Sequence, residues 1–289
     1  MTTIGELKQK LFTLFPHEDA TPGDRIGLLV GSTAEEVKGI AVALDAKVTN
    51  IEAAAAAGCN VLVTHHPVFW YPPTEFVKEG SSEGAAVYAA AKLGVSLITL
   101  HTNLDCAPVA RGMLLEPAGF TYLAPLALPQ EADSELVVAG KAAAELEQTG
   151  EQAGEQAAKP VAGLGQLGKP KEGDAIPFED IVASYKKEFG AVAKAWGNPS
   201  LPVKRLATCS GSGSSLIKRV IHTGADCYVT GEVAYHEALE LAHAGVALIE
   251  LGHDRSELPY RFYLKDALVQ AGIEEEHIKI LGATAEWWQ

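Results

Sequence analysis

The chain alternates short, continuously apolar runs with longer segments that have a helical spacing of apolar residues. Strands that are apolar throughout, without a polar residue at every second position, are typical of sheets covered on both faces. Strands are predicted at residues 39–44, 60–64, 95–101, 205–209, 226–230 and 246–251. Helices are predicted at residues 4–15, 48–57, 83–93, 215–223, 233–244 and 257–271. This alternation predicts an α/β fold with largely parallel sheets flanked by helices.

The regular pattern breaks between residues 120 and 173, where glycine, alanine and proline dominate and GEQAGEQA repeats itself. Such a composition lowers the expectation of regular structure, and leaves either an alanine-rich surface helix or a mobile excursion. We predict two linked α/β domains. The first comprises residues 1–120 with 253–289, and the second comprises residues 121–252, with the excursion at about 139–173. A length of 289 residues agrees with two domains or with one large domain.

Charge and cysteine usage narrow the range of functions. The chain has 23 Lys+Arg against 37 Asp+Glu, a net charge of -14, which disfavours binding to a nucleic-acid backbone. No apolar run approaches the roughly 18 residues that a membrane span needs, so we predict a cytoplasmic protein without membrane contact. The cysteines lie far apart, which predicts reduced, buried thiols rather than disulfides or a zinc knot.

Side chains that bind metals follow two of the predicted strands in the first half of the chain. His65 and His66 come directly after strand 60–64, and neighbouring side chains on extended backbone diverge, so each could hold a different ion. A pair of hydrogen-bonded loop histidines is the alternative. Asp105 follows strand 95–101 and is either a ligand or the N-cap of a following helix. His101 could support a ligand or be one.

A third strand end offers His253 and Glu257. Their spacing of four places them on one helical face, about 5–6 Å apart at Cβ, so both could reach one centre and Glu257 could bridge two ions. A charged first turn facing water is the alternative. Together the strand ends predict two divalent cations, roughly 3.5–4 Å apart. The predicted ligands are His65, His66, Asp105, His253 and Glu257. This set accepts Zn, Mn, Fe, Co or Ni, so it does not define the metal.

Other polar residues also follow strands. Gly211, Ser212 and Gly213 could form a phosphate cradle through their backbone N–H groups, although a tight structural turn is the more economical interpretation. Glu232 could be a general base and His236 a proton shuttle, with capping and helix-face roles as alternatives.

Aromatic residues also suggest two uses. Phe69, Trp70 and Tyr71 could wall an aromatic base or simply pack. Trp287 and Trp288 are expected to pack the C-terminus or fill an interface.

A family resemblance rests on several motifs in a fixed order. VTHHPVFW, HTNLD, GSGS, ADCYVTGE and GHDRSE resemble those of the Nif-three-like family, the GTP cyclohydrolase I type 2 homologues. The resemblance covers nearly the whole chain outside residues 120–173. It implies two linked α/β domains with a dinuclear metal centre in the cleft between them. It further implies that the five predicted ligands bind the metals, that Glu257 serves both ions, and that the chain forms ring-shaped homohexamers.

The chain departs from the family pattern in two places. The usual Trp-Asp-Asn-x-Gly-Leu reads GDRIGL at residues 23–28, with Arg25 in place of Asn, and Gly-Gly-x-Asn after HTNLD reads ARGM. Neither departure removes a predicted ligand.

The function predicted is a metal-dependent hydrolase acting on a nucleotide or phosphorylated small molecule, with GTP ring opening suggested by the family. Residues 211–215, Arg25 or Arg255 could anchor a triphosphate. The alternative is a non-enzymatic, ring-forming metal-binding protein that regulates a partner.

Overall fold

The computed structural model describes residues 2–131, 162–190 and 194–282. The chain forms two compact units, Met1–Leu104 with Leu258–Gln289 and Asp105–Glu257. The sequence analysis placed the boundaries at residues 120 and 253. In the structure the first boundary lies earlier, after Leu104, because residues 105–119 form hydrogen bonds with other parts of the second unit. There the backbone oxygen of Cys106 accepts from Gly163, and that of Leu114 accepts from the Tyr185 hydroxyl at 2.6 Å.

The first unit is built on a sheet of five strands. In chain order these are β1 (Gly27–Val30), β2 (Ile40–Ala43), β3 (Val61–Thr64), β4 (Ser96–Thr99) and β13 (Ile278–Ile280). Their order in the sheet is β1-β4-β3-β2-β13. All neighbours are parallel except β1 and β4. Strands β2, β3 and β4 are buried throughout, as their continuous apolar sequences predict.

Four longer helices belong to the first unit; the last three contact the sheet, and the first packs against the last. They are Ile4–Leu14, Val48–Ala56, Ser82–Leu93 and Tyr260–Gln270. The first begins with a capping box, in which the Thr3 side chain accepts from Glu6 N and the Glu6 side chain accepts from Thr3 N. A short helix, Thr102–Asp105, lies where the first unit ends.

The second unit is built on a sheet of six strands. These are β5 (Phe120–Ala127), β6 (Leu164–Pro170), β8 (Lys194–Trp196), β10 (Leu206–Ser212), β11 (Cys227–Glu232) and β12 (Ala247–Glu250). Their order is β5-β6-β10-β11-β12-β8. Two further short strands, β7 (Ile176–Pro177) and β9 (Pro202–Val203), pair with each other. The helices are Phe178–Phe189, Ile217–His222, Tyr235–His243 and His253–Glu257.

The second sheet is mixed, which the sequence did not predict. Strands β10, β11 and β12 are parallel, whereas β5, β6 and β8 pair antiparallel at the two sides. The α/β class is nevertheless confirmed, with helices flanking sheets in two domains.

Part of the predicted excursion is regular structure. Strand β6 lies within it and pairs with both β5 and β10. The prediction was wrong here because the strand sequence LGQLGKP contains glycine and proline and no β-branched residue, and so lacks the usual signal. Residues 139–161 of the excursion, together with Trp287 and Trp288, lie outside the described residues.

The other predicted elements agree closely with the structure. Each of the six predicted strands is present, and helix 257–271 is replaced by two helices, His253–Glu257 and Tyr260–Gln270, separated at Pro259. In the part of the chain that the structure describes, no helix is both long enough and apolar enough to cross a membrane.

Candidate metal-binding site

Three histidines meet at the carboxyl edge of the first sheet. Strands β3 and β4 are parallel neighbours, with Thr64 opposite Thr99. His65 and His66 follow the first strand directly, and His101 follows the second. Their possible ligand atoms lie within 4.8 Å of one another. The strand register therefore brings these side chains together, as ligands at the carboxyl ends of parallel strands require.

Each of these imidazoles is oriented by an oxygen atom at its Nδ1. His65 Nδ1 lies 3.1 Å from the backbone oxygen of Leu100, His66 Nδ1 lies 2.8 Å from Asp45 Oδ1, and His101 Nδ1 lies 3.0 Å from Asp24. An oxygen acceptor assigns the ring proton to Nδ1 and leaves the lone pair on Nε2. Metal-binding histidines are held in this way, so the geometry fits three Nε2 donors.

Burial of His65 fixes its ring further. The side chain is 0% exposed and stacks on Tyr260, with ring centroids 4.5 Å apart. The rings of His66 and His101 are partly exposed. An ion held by the three would thus have a rigid ligand on one side and access to solvent on the other.

The carboxylates behind His66 and His101 are ionised at neutral pH. Burial alone would raise the pKa of Asp24, but hydrogen bonds and charge from His101 and hydrogen bonds from Thr102 outweigh it and lower the pKa to about 2. Burial would also raise the pKa of Asp45, but hydrogen bonds and charge from His66 and Lys47 outweigh it and lower the pKa. A negative partner raises the basicity of an imidazole, and so improves it as a ligand.

The second unit contributes its own donors. His253 and Glu257 lie on the short helix that follows β12, with His253 Nε2 3.3 Å from Glu257 Oε2. Glu257 is 4% exposed. His253 Nδ1 lies 2.9 Å from Glu232 Oε1, which repeats the pattern seen in the first unit. The predicted sharing of one helical face by His253 and Glu257 is confirmed.

Asp105 ends the helix Thr102–Asp105 and is partly buried. It does not cap the next helical turn, since Ala107 occupies the N-cap of Pro108–Ala110. Burial, with the charges of Asp105 and Glu257, raises the pKa of the Cys209 thiol. The two carboxylates therefore act on one region of the second unit, where Cys209 stays protonated and is a poor metal ligand at neutral pH.

Two glycines let the short helix approach the sheet. A Cβ on Gly211 would lie 2.1 Å from Glu257 Oε1 and 3.3 Å from His253 Nε2. A Cβ on Gly231 would lie 2.9 Å from His253 Cα. Ser256 completes the contact, because its Oγ accepts from Gly211 N at 2.9 Å and donates to the His253 backbone oxygen at 2.8 Å. The glycines thus make room for the donors.

This packing argues against the predicted phosphate cradle at Gly211, Ser212 and Gly213. The backbone N–H of Gly211 donates to Ser256, and that of Gly213 donates to the backbone oxygen of Glu232 at 3.1 Å. Donors already used within the protein are not available to a phosphate. The tight structural turn is the interpretation that the geometry favours.

The two predicted catalytic residues lie in different surroundings in the structure. Glu232 contacts His253, so it orients a candidate ligand. His236 is exposed on helix Tyr235–His243. The roles of general base and proton shuttle stay predictions.

Sequence reasoning missed Asp24 and Asp45, which orient His101 and His66. Asp45 had a signal, since it comes shortly after strand β2, at the same edge as the histidines. Asp24 had no sequence signal apart from its place in GDRIGL, because its contact with His101 joins segments far apart in the chain. Imidazoles and carboxylates of this kind fit the borderline divalent metals Zn, Mn, Fe, Co and Ni.

The fold and these residues define a two-domain α/β protein whose histidine and glutamate groups could hold metal ions. The family profile of Duf34/NIF3 (NGG1p interacting factor 3) matches residues 2–284. The chain belongs to this family, and the resemblance drawn from the motifs is confirmed.

Several relatives are known by sequence and structure. A "GTP cyclohydrolase 1 type 2 homolog" of Streptomyces coelicolor is 26% identical over 265 residues, covering 90% of this chain and 83% of its own length. A protein of the same name from Lactococcus lactis is 26% identical over 239 residues, covering 82% of this chain and 80% of its own length. The Staphylococcus aureus protein SA1388 superposes with a TM-score of 0.76 at 22% identity, covering 100% of this chain and 99% of its own. The structural match supports the fold.

Proposed function

We propose that this protein binds two divalent metal ions through His65, His66, Asp105, His253 and Glu257, with His101 as an extra ligand or a support for one, and uses them to hydrolyse a nucleotide or another phosphorylated small molecule. The observation that carries the proposal is the orientation of the imidazoles. His65, His66 and His253 each have an oxygen atom at Nδ1, at 3.1, 2.8 and 2.9 Å. Outer partners of this kind are typical of metal-binding histidines.

The charge of the ligand set supports an anionic substrate. Neutral imidazoles and the carboxylates of Asp105 and Glu257 would compensate only part of the charge of two divalent ions. A site in a protein of net charge -14 would then be locally positive and attract phosphate. When bound, such ions polarise a phosphoryl or ring carbon centre and lower the pKa of a water molecule.

The residues of this chain have separate tasks in the proposal. His65 is buried and would supply a rigid donor, whereas His66 and His253 are partly exposed. Asp45 and Glu232 keep the ring protons of His66 and His253 on Nδ1. The names of the curated relatives support GTP as the first substrate to try. The homohexamer implied by the resemblance stays a prediction.

Metal content and turnover test the proposal together. The full chain, purified without chelator, is analysed by inductively coupled plasma mass spectrometry and assayed on GTP and p-nitrophenyl phosphate. We expect about two ions per chain, as in other dinuclear sites, and turnover that disappears on chelation and returns on reloading. Two ions without turnover would favour the non-enzymatic alternative. Failure to bind metal after reloading would refute both.

Glu232→Gln separates the orienting role of Glu232 from the predicted role of general base. Because the carboxylate contacts His253 Nδ1, we expect metal affinity to fall by roughly 10–100-fold, as for other outer partners of metal ligands. Saturating metal should then restore most of the turnover. Unchanged metal affinity with lost turnover at saturating metal would instead assign Glu232 to proton transfer. Exposed Glu240 on the next helix provides the control, Glu240→Gln.

A further inference from the structure

Two large aromatic side chains are exposed beside the histidines of the first unit. Trp70 is 51% exposed and Tyr71 is 84% exposed. Phe69, by contrast, packs against the core of the first unit. The sequence offered all three as either packing residues or walls for an aromatic base. The structure separates them, because only Phe69 has a packing role within the core.

Trp70 is fixed in place from two directions. Its ring meets the His101 ring edge-on, with centroids 5.0 Å apart and planes at 76°. Its backbone oxygen accepts a hydrogen bond from Arg25 Nε at 2.9 Å. Pro72 and Pro73 follow Tyr71 and restrict the backbone. A surface held in this way loses little conformational entropy when a ligand binds.

The positive charge next to Trp70 indicates which kind of ligand these aromatic rings would favour. Exposed rings can hold a cation on their faces or stack against a planar ring. Arg25 is exposed, whereas the side chain of its neighbour Asp24 is 1% exposed and faces His101 and Thr102. The positive charge of Arg25 is therefore displayed and the negative charge of Asp24 is not. This arrangement repels a cation and favours an anion.

We propose that Trp70, Tyr71 and Arg25 form a recognition surface for a planar aromatic ring that carries a phosphate group, so that the substrate is a nucleotide. The rings stack against the base, and the guanidinium group of Arg25 pairs with phosphate oxygens. The inference rests on the proposed function, since it names the substrate class of that site.

Calorimetric titration of the metal-loaded full chain with GTP, ATP and tripolyphosphate tests this surface. Stacking predicts that Trp70→Ala and Tyr71→Ala each weaken GTP and ATP about tenfold to a hundredfold. Neither should change the affinity for tripolyphosphate, which has no ring. Trp70→Phe should retain most nucleotide affinity. Arg25→Asn should weaken all three ligands. Phe76→Ala is the matched control, because Phe76 is a 52% exposed aromatic residue of the same segment.

Several results would overturn the inference. Wild-type protein that binds nucleotides no more tightly than tripolyphosphate has no base recognition. Equal nucleotide affinity in Trp70→Ala and Phe76→Ala removes Trp70 from the surface. Loss of metal from Trp70→Ala, with recovery in Trp70→Phe, would show that Trp70 acts by supporting His101. Metal content and phosphatase turnover, measured on the same samples, show separately whether the proposed function survives.

Discussion

Replacing Glu257 with Gln is expected to reduce the metal content of the protein from about two ions per chain to one or none. Glu257 is 4% exposed and its Oε2 lies 3.3 Å from His253 Nε2, so it is a buried candidate ligand, and the family resemblance implies that it serves both ions. Loss of an outer partner alone costs roughly 10–100-fold in metal affinity. Loss of a shared ligand should exceed the upper end of that range, and turnover should fall with it.

Gln is the informative substitution because it has nearly the volume of Glu. The space beside Gly211 stays filled, and the amide can still hydrogen-bond, so the metal-free protein should keep its fold. We expect its free energy of unfolding to change by no more than about 1.5 kcal/mol, the usual net value of one hydrogen bond.

Glu240→Gln makes the same change of charge at an exposed position of helix Tyr235–His243 and is the control. Metal content is measured by mass spectrometry after dialysis against a fixed concentration of free metal. If Glu257→Gln holds as much metal as Glu240→Gln, Glu257 is not a ligand, and the proposed centre must be rebuilt without it.

The candidate ligands could be predicted because they obey a local rule. His65 and His66 each follow a continuously apolar strand, and the carboxyl ends of parallel strands share one edge of a sheet. The spacing of His253 and Glu257 likewise needs only helical geometry. Such features depend on only a few consecutive residues, so a single sequence is enough to predict them.

The contacts that support these residues were harder to predict from the sequence because they join distant segments of the chain. Asp24 reaches His101, and Ser256 reaches Gly211, through packing that no local pattern encodes. The same limit applies to strand β6, whose partners β5 and β10 are decided by the sheet rather than by its glycine-containing sequence. The sequence therefore indicated which side chains are candidate ligands, and the structure showed what orients them.

Gly211→Ala is expected to damage both stability and metal binding, although it adds a single methyl group. Gly211 has a φ of 62°, a left-handed conformation that costs an alanine about 1–2 kcal/mol. The new Cβ would also lie 2.1 Å from Glu257 Oε1, much closer than real Cβ contacts. Crowding of this kind costs about 1–3 kcal/mol more, and relieving it must move the Glu257 carboxylate.

Gly224→Ala separates these two effects. Gly224 has a φ of 65°, but a Cβ there would meet nothing within 4 Å. The control therefore includes the backbone strain without the crowding. Urea unfolding in chelator should show a larger loss of stability for Gly211→Ala than for Gly224→Ala, and metal content should fall only in the former. Equal losses with normal metal content in both would mean that the position of Glu257 does not depend on the space at Gly211. The two-glycine comparison thus tests whether the close approach of helix to strand, rather than glycine flexibility, is what this site requires.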